Sequence, residues 1–405
     1  MKKILLVFLA LLSLQLSAQT WTQLGTPPSN YEARNHPITF SIGEFGYITT
    51  GAGNFYNSDM YRYDPSNDSW TQLANFPGGP RSFGYGVQNG GKGYVGFGLV
   101  ASQSSATYYN DLWEFDPVTN SWTQLTSCPG TGRRHPAMVA TPGKIFVGCG
   151  DGSTGNLKDW WEYDIDSDTW SQKPDFPSFV RHHPYFFDID GEAYVGFGHN
   201  GQSIYKDMYR YNPSAETWTA IPSLPAEGRV AGTQFSYGGK GYLLSGQGED
   251  HRNFATGEFW VYDPDNSSWN SLPAHPGTGR WAPGSFVIGS TVYLTSGAGF
   301  GNNQIDISDM MKYDLPPFAV GVEDVRKANL EIYPNPAVTE LTISIDEKMG
   351  TISVFSILGV PTQVQVVKTS EYGANVNVKS LSTGNYILQI EQANGATVTQ
   401  EFTKK

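Results

Sequence analysis

Six tryptophans, Trp21, Trp70, Trp122, Trp170, Trp218 and Trp269, mark out most of the chain at intervals of 49, 52, 48, 48 and 51 residues. Each sits in a similar phrase, and three copies read identically: Trp21-Thr-Gln-Leu, Trp70-Thr-Gln-Leu and Trp122-Thr-Gln-Leu. A period near 50 residues makes each repeat one small structural unit, which buries its apolar surface only by stacking on its neighbours. Such regularity also warns that the most conspicuous side chains serve the scaffold.

Within a repeat the pattern is one of short strands. From Arg133 to Ala140 the residues alternate as in a strand. Pro142-Gly143 turns the chain, and Lys144-Ile-Phe-Val-Gly-Cys-Gly150 gives a second strand ending in glycines. Trp160-Trp-Glu-Tyr-Asp164 reads as a third strand, and Trp170-Ser-Gln opens a fourth. Four antiparallel strands make one blade of a β-propeller. The glycine-ended strand recurs as Gly46-Tyr-Ile-Thr-Thr-Gly51, Gly93-Tyr-Val-Gly-Phe-Gly98, Ala193-Tyr-Val-Gly-Phe-Gly198, Gly241-Tyr-Leu-Leu-Ser-Gly246 and Val292-Tyr-Leu-Thr-Ser-Gly297. The third strand recurs as Tyr61-Arg-Tyr-Asp64, Trp113-Glu-Phe-Asp116, Tyr209-Arg-Tyr-Asn212, Trp260-Val-Tyr-Asp263 and Met311-Lys-Tyr-Asp314.

These residues carry a resemblance. From Trp21 to about Pro317 the chain resembles the kelch-repeat propellers, with their glycine region, aromatic–Asp corner and last-strand Trp. The family's Gly-Gly doublet is here Gly-x-Gly or a single Gly, so the copies are divergent. The resemblance implies that the glycines let backbones approach and that the Trp packs between blades. Units begin at Arg34, Arg81, Arg133, Arg181, Arg229 and Arg280. The sixth reaches Asp314 and then meets Pro316-Pro317, with no Trp after it. Its missing strand is expected from Trp21-Thr-Gln-Leu, which closes the ring and leaves no free edge at the seam. The expected fold is all-β: a six-bladed kelch-type propeller over residues 19–317, a linker over 318–328 and a small β-sandwich over 329–405.

The first 18 residues read as an export signal: Lys2 and Lys3, an apolar run over residues 4–16, and a cleavage site at Leu16-Ser17-Ala18 before Gln19. That run is shorter than the roughly 20 residues a bilayer span needs, and no later stretch reads as transmembrane. A net charge of −12 argues against nucleic acid as a partner. Cys128 and Cys149 fall towards the same face of a propeller. Export permits a disulfide between them, and two buried thiols are the alternative.

After Pro317 the repeat stops. Residues 329–405 lack Trp and alternate as short β-branched strands, which predicts a β-sandwich. Tyr333-Pro-Asn-Pro336, Leu341-Thr-Ile, Leu358-Gly359, Leu381-Ser-Thr-Gly-Asn-Tyr386 and the ending Phe402-Thr-Lys-Lys resemble the type IX secretion sorting domain of Bacteroidota. The resemblance implies a partner in the type IX machinery, passage through the outer membrane, usual removal of the domain, and release or surface attachment.

In a propeller the loop entering the first strand and the loop leaving the second share one face. Arg34, Arg81, Arg133, Arg181, Arg229 and Arg280 stand at that entry, and three copies extend to Arg-x-His-Pro through His36, His135 and His183. Arg and the His two places on point to the same side of a strand. One reading makes the Arg scaffold, bonded to carbonyls or to aspartates of neighbouring blades. The other makes a cationic mouth for carboxylates. Asp59, Asp111, Asp159, Asp207 and Asp309, just before the third strands, read as turn caps. The three histidines belong to blades 1, 3 and 4, which a six-fold channel is expected to hold too far apart for a shared metal, and no cofactor is expected.

The sequence holds no Gly-x-Ser-x-Gly elbow, phosphate loop or dinucleotide signature in a usable context. The expected function is a non-catalytic propeller, secreted or cell-surface, whose mouth binds a glycan or protein ligand. The alternative follows from resemblance to six-bladed kelch proteins that interconvert sialic acid anomers, with Glu249 or Glu227 as the carboxylate. Kelch-like copper oxidases fit less well, because no Tyr–Cys–His set is evident.

Overall fold

The 50-residue period becomes a repeated sheet in the computed structural model. It describes residues 20–25, 27–300, 304–316, 330–345, 348–356, 361–362, 364–392 and 397–405. The export signal and the linker read from the sequence lie outside these. Contacts divide the chain into two compact units, Met1–Pro317 and Phe318–Lys405.

In the first unit, blade 3 shows the pattern in full: Ala137–Thr141, Lys144–Gly148, Trp160–Asp164 and Thr169–Lys173 pair antiparallel in that order. Its first two strands are buried at nearly every position because both faces meet neighbouring blades, which favours Val, Ile, Phe and small residues. The fourth strand is largely exposed and polar apart from Trp170. Five further sheets repeat this order, with innermost strands Ile38–Ile42, Tyr85–Asn89, Tyr185–Ile189, Thr233–Tyr237 and Gly284–Ile288. Each innermost strand touches the next, and the sixth touches the first, so the six line a central channel.

The last blade is completed from the other end of the unit. Thr22–Gln23 pairs antiparallel with Met310–Asp314, Thr22 opposite Lys312 and Gln23 opposite Met311. Trp21 packs on Phe259, His275 and Tyr313, and its indole N–H donates to the Pro273 carbonyl of blade 5 at 2.9 Å. The same bridge to the preceding blade recurs at Trp122, Trp170, Trp218 and Trp269, which donate to Ala74, Thr126, Pro174 and Pro222. Five of the six periodic tryptophans are therefore ties between blades, whereas the Trp70 indole N–H has no such partner.

A second tie explains the glycines. Gly51, Gly98, Gly150, Gly198, Gly246 and Gly297 each donate a backbone N–H to the carbonyl of the next blade's leading Arg, at 2.8–3.0 Å, across the seam as well. Each has a positive φ. At Gly98 a Cβ would stand 2.4 Å from the Ser82 carbonyl, so a side chain is excluded on both counts.

His275, 2% exposed at the edge of blade 5, gives a pH prediction. Burial first, and Arg280 after it, lower its pKa to about 4, against an opposing hydrogen bond to the Pro276 carbonyl. An unfolded His takes up its proton near pH 6.5, so between there and about pH 4 the unfolded chain binds the extra proton. Its contribution is thus constant above pH 6.5 and falls on acidification by about 1.4 kcal/mol per pH unit. Urea midpoints measured from pH 7.5 to 4.5 should fall less steeply in His275→Gln than in the natural chain; parallel curves would contradict this.

In the second unit, Glu331–Tyr333, Glu340–Ser344, Gly373–Asn377 and Gln365–Ser370 form one sheet, and Pro361–Thr362, Met349–Ser356, Gly384–Gln392 and Thr397–Lys404 form the other. Leu341, Ile343 and Val376 of the first meet Val354, Leu388, Ile390 and Phe402 of the second in one core. This is the β-sandwich arrangement that the alternation dictates.

Candidate functional site

The six leading arginines do not face the mouth. Arg34, Arg81, Arg133, Arg181 and Arg229 are 0% exposed and Arg280 is 5% exposed. Arg133 is representative: Nη1 and Nη2 donate to the two carboxylate oxygens of Asp159 at 2.6 and 2.7 Å. Nη1 also reaches the Cys149 carbonyl, and Nε the Thr131 carbonyl. Arg34, Arg81, Arg181 and Arg280 grip Asp59, Asp111, Asp207 and Asp309 in the same two-pronged way. Burial pulls the Asp159 carboxyl upward, but the Arg133 contact outweighs it and leaves the group below its ordinary range.

This corrects the cationic mouth. The guanidinium groups are buried inside the blades, so none of the six is exposed to meet a ligand, although Nε of Arg81 and Nε and Nη1 of Arg229 have no hydrogen-bond partner there. It also corrects two details: the aspartates read as turn caps are the partners, and each belongs to the same blade as its Arg. Blade 5 departs, because Glu258 stands where the others have Asp. Its longer side chain meets Arg229 through a single contact at 3.1 Å. Cys128 and Cys149 are both buried free thiols, pushed up by burial to about 11 and about 12.

The position two after each Arg behaves differently. His36, Phe83, His135, His183, Ala231 and Ala282 all carry a positive φ of 48–67°. That left-handed turn aims the side chain at the channel axis instead of along the strand face. Backbone hydrogen bonds tie neighbours into a girdle: His36 N–H to the Ala282 carbonyl, His135 to Phe83, His183 to His135 and Ala282 to Ala231. The expected separation of the three histidines is therefore wrong. His36 and His183, from opposite blades, meet with Nε2 atoms 2.9 Å apart, and His135 stacks on His183 with ring centroids at 3.3 Å.

One residue before the girdle stands a second column, of which Arg134, His182, Val230 and Trp281 line the mouth while Asn35 and Ser82 are buried. The column runs Asn35, Ser82, Arg134, His182, Val230 and Trp281, each bridged to the residue after the second-strand glycine: Ala52, Leu99, Asp151, His199, Gln247 and Ala298. A cavity of about 280 Å³ forms there, lined by Phe83, Arg134, His135, His182, His183, His199, Val230, Gln247, His251 and Trp281. Arg134, paired with Asp151 at 2.8 Å, is the cation of this mouth. His182 and His199 are held at about 4 and about 3, burial being the largest cause for both, so they are neutral at physiological pH. Around the rim, Phe55 is 75% and Phe179 68% exposed, the latter stacked on Tyr205. Glu249 lies on an exposed rim loop, where its carboxylate accepts the Gly228 N–H and its own N–H donates to Glu227.

Arg134, His199, Gln247 and Trp281 were not singled out as mouth residues in the sequence. The signal was present in the contrast between columns. Positions constant in every repeat are scaffold, whereas the adjacent column changes in every repeat.

Comparison with known proteins agrees with this architecture. The model described as the KLHDC2/KLHL20/DRC7 Kelch-repeats domain matches residues 101–229, and the secretion system C-terminal sorting domain matches residues 331–405. A solved structure titled YjhT superposes with a TM-score of 0.60 at 16% identity, over 71% of this chain and 95% of that one, which speaks for the fold alone. N-acetylneuraminate epimerases of Shigella sonnei (strain Ss046) and Escherichia coli (strain K12) are 31% identical over 120 residues. Those alignments cover 27% of this chain and 32% of each relative, so the chain spans about a third of the length of the curated relatives it matches. The chain is thus a kelch-repeat β-propeller protein. More narrowly, it is one that carries a C-terminal type IX secretion sorting domain, which directs it to the cell surface or the medium.

Proposed function

We propose that the propeller is a binding module whose mouth takes a glycan or protein ligand outside the cell. The observation that supports this best is the mouth itself: a cavity of about 280 Å³ that sets imidazoles, Gln247 and Arg134 among Phe83, Val230 and Trp281, beneath a rim bearing exposed Phe55 and Phe179. Imidazole, amide and guanidinium groups suit hydroxyl and carboxylate recognition. Exposed rings give flat apolar faces at small entropic cost. A glycan array with the purified chain tests it, followed by titration of the best hit. Phe179→Ala should weaken that hit about tenfold or more, at roughly the 1–3 kcal/mol expected of an interface aromatic, while stability stays within about 0.5 kcal/mol. Binding indifferent to Phe179, Arg134 and Trp281 alike would move the ligand site off the mouth.

A second reading rests on the epimerase relatives. In it the mouth interconverts sialic acid anomers, with Glu249 or Glu227 moving the proton. Both carboxylates are engaged in holding rim backbone, which weighs against that role. Exchange between the anomers followed by NMR, with and without the chain, separates the readings: acceleration abolished by Glu249→Gln supports the enzyme, and an unchanged rate dismisses it.

A further inference from the structure

We propose that His36, His135 and His183 form a binding site for a divalent transition-metal ion at the floor of the mouth. The ligand nitrogens of these three residues all lie within 4.8 Å of one another. A tetrahedral ion with bonds of about 2.0–2.1 Å to imidazole holds its ligand nitrogens about 3.3 Å apart, a spacing between the 2.9 Å His36–His183 contact and the 4.8 Å limit. Three imidazoles are the donor set suited to zinc, copper, nickel or cobalt rather than to calcium or magnesium.

Two independent features of the cluster point the same way. The imidazoles are 4–7% exposed, yet both ring nitrogens of His135 and Nδ1 of His183 have no hydrogen-bond partner. Burying such groups unpaired is costly, and a metal ion takes the one lone pair that each ring offers. His36 is already oriented: its Nδ1 bonds the Asn35 side-chain oxygen at 2.7 Å, and the Asn35 amide donates to Asp306 at 2.8 Å. With Nδ1 as donor, Nε2 presents its lone pair to the cluster. This is the outer-shell relay that fixes the tautomer of metal-binding histidines. Arg134, the nearby cation, is offset by Asp151. His135 and His183 line the mouth cavity, so a fourth coordination position opens towards whatever the mouth binds.

His182 and His199 form with His183 a second group of similar spacing, more exposed and nearer the rim. Variants separate the two. Ala already occupies the equivalent girdle positions at Ala231 and Ala282 with the same backbone turn, so alanine is compatible with the fold there.

The untagged, chelator-stripped chain, titrated with Co²⁺ by visible absorption and with Zn²⁺ by equilibrium dialysis, is expected to bind one ion at micromolar concentration. His36→Ala and His135→Ala should each weaken binding by more than the 10–100-fold typical of losing an outer-shell partner, and His199→Ala by less than tenfold. X-ray absorption of the Zn²⁺-loaded natural chain needs no variant and should show imidazole nitrogens at about 2.0–2.1 Å. No stoichiometric Co²⁺ or Zn²⁺ uptake overturns the proposal. So does a shell of oxygen or sulfur alone, or a loss that follows His199 and spares His36. None of these readings depends on a glycan, so failure here leaves the ligand reading of the mouth standing.

Discussion

Replacing Arg133 by methionine is expected to destabilise the propeller by about 3–5 kcal/mol, the usual consequence of removing one member of a buried ion pair. Asp159 would keep its charge in a partly buried site with only the Trp161 indole and backbone to meet it. The Cys149 and Thr131 carbonyls would lose their donors in the same change. Because those carbonyls belong to the turns that carry the inter-blade glycine tie, the damage should spread to blade 4 through Gly150 and Arg181. The double variant Arg133→Met with Asp159→Leu should recover part of the loss, since no charge is then stranded. The neighbouring Arg134→Ala is the control. Its side chain is 35% exposed and its pair with Asp151 faces the mouth, so it should cost under about 1 kcal/mol while weakening ligand binding. Urea unfolding measures all three; equal losses for Arg133 and Arg134 would refute the division between scaffold and mouth.

Trp21→Ala should be the second large effect, about 3 kcal/mol at the low end of the range for a packed tryptophan. The residue is only partly buried, but it touches Phe259 and Tyr313 and ties blade 6 to blade 5. A more severe test removes residues 1–25. That leaves the outer edge of Met310–Asp314 unpaired, and an open edge of this kind recruits other chains. Gel filtration should show the truncated chain shifting from monomer-sized to larger species, whereas Trp170→Ala should destabilise without association, because its strand stays attached in sequence. A truncated chain that remains monomeric with unchanged stability would mean that Thr22–Gln23 does not close the ring.

Much of the scaffold was legible because repetition averages out noise. A Trp or a Gly that recurs in copy after copy reports a demand of the fold, and the demands proved to be the indole ties and the positive-φ glycine ties. The seam was legible as well, from the absence of a Trp after Asp314 and the surplus one at Trp21. What repetition could not reveal was direction. Alternation along a strand put Arg34 and His36 on one side, but the left-handed turn at His36 breaks that alternation. The Arg goes into the blade and the His to the axis. The distance argument against the histidines failed for the same reason: it assumed side chains standing off strands on the channel wall, not a girdle drawing them together. Trp281, Gln247 and Arg134 went unremarked because each occurs once in its column, and a single copy carries no periodic signal.

The girdle has one more consequence. Below it, a separate hollow of about 590 Å³ follows the innermost strands down to Asn89, Gly90, Thr141 and Pro142, at the turns of the far end. His36 and His183, joined across the axis, stand between the two spaces. The propeller thus holds two hollows, with those rings between them. His183 lines both hollows, so a shift of that ring would reshape each of them.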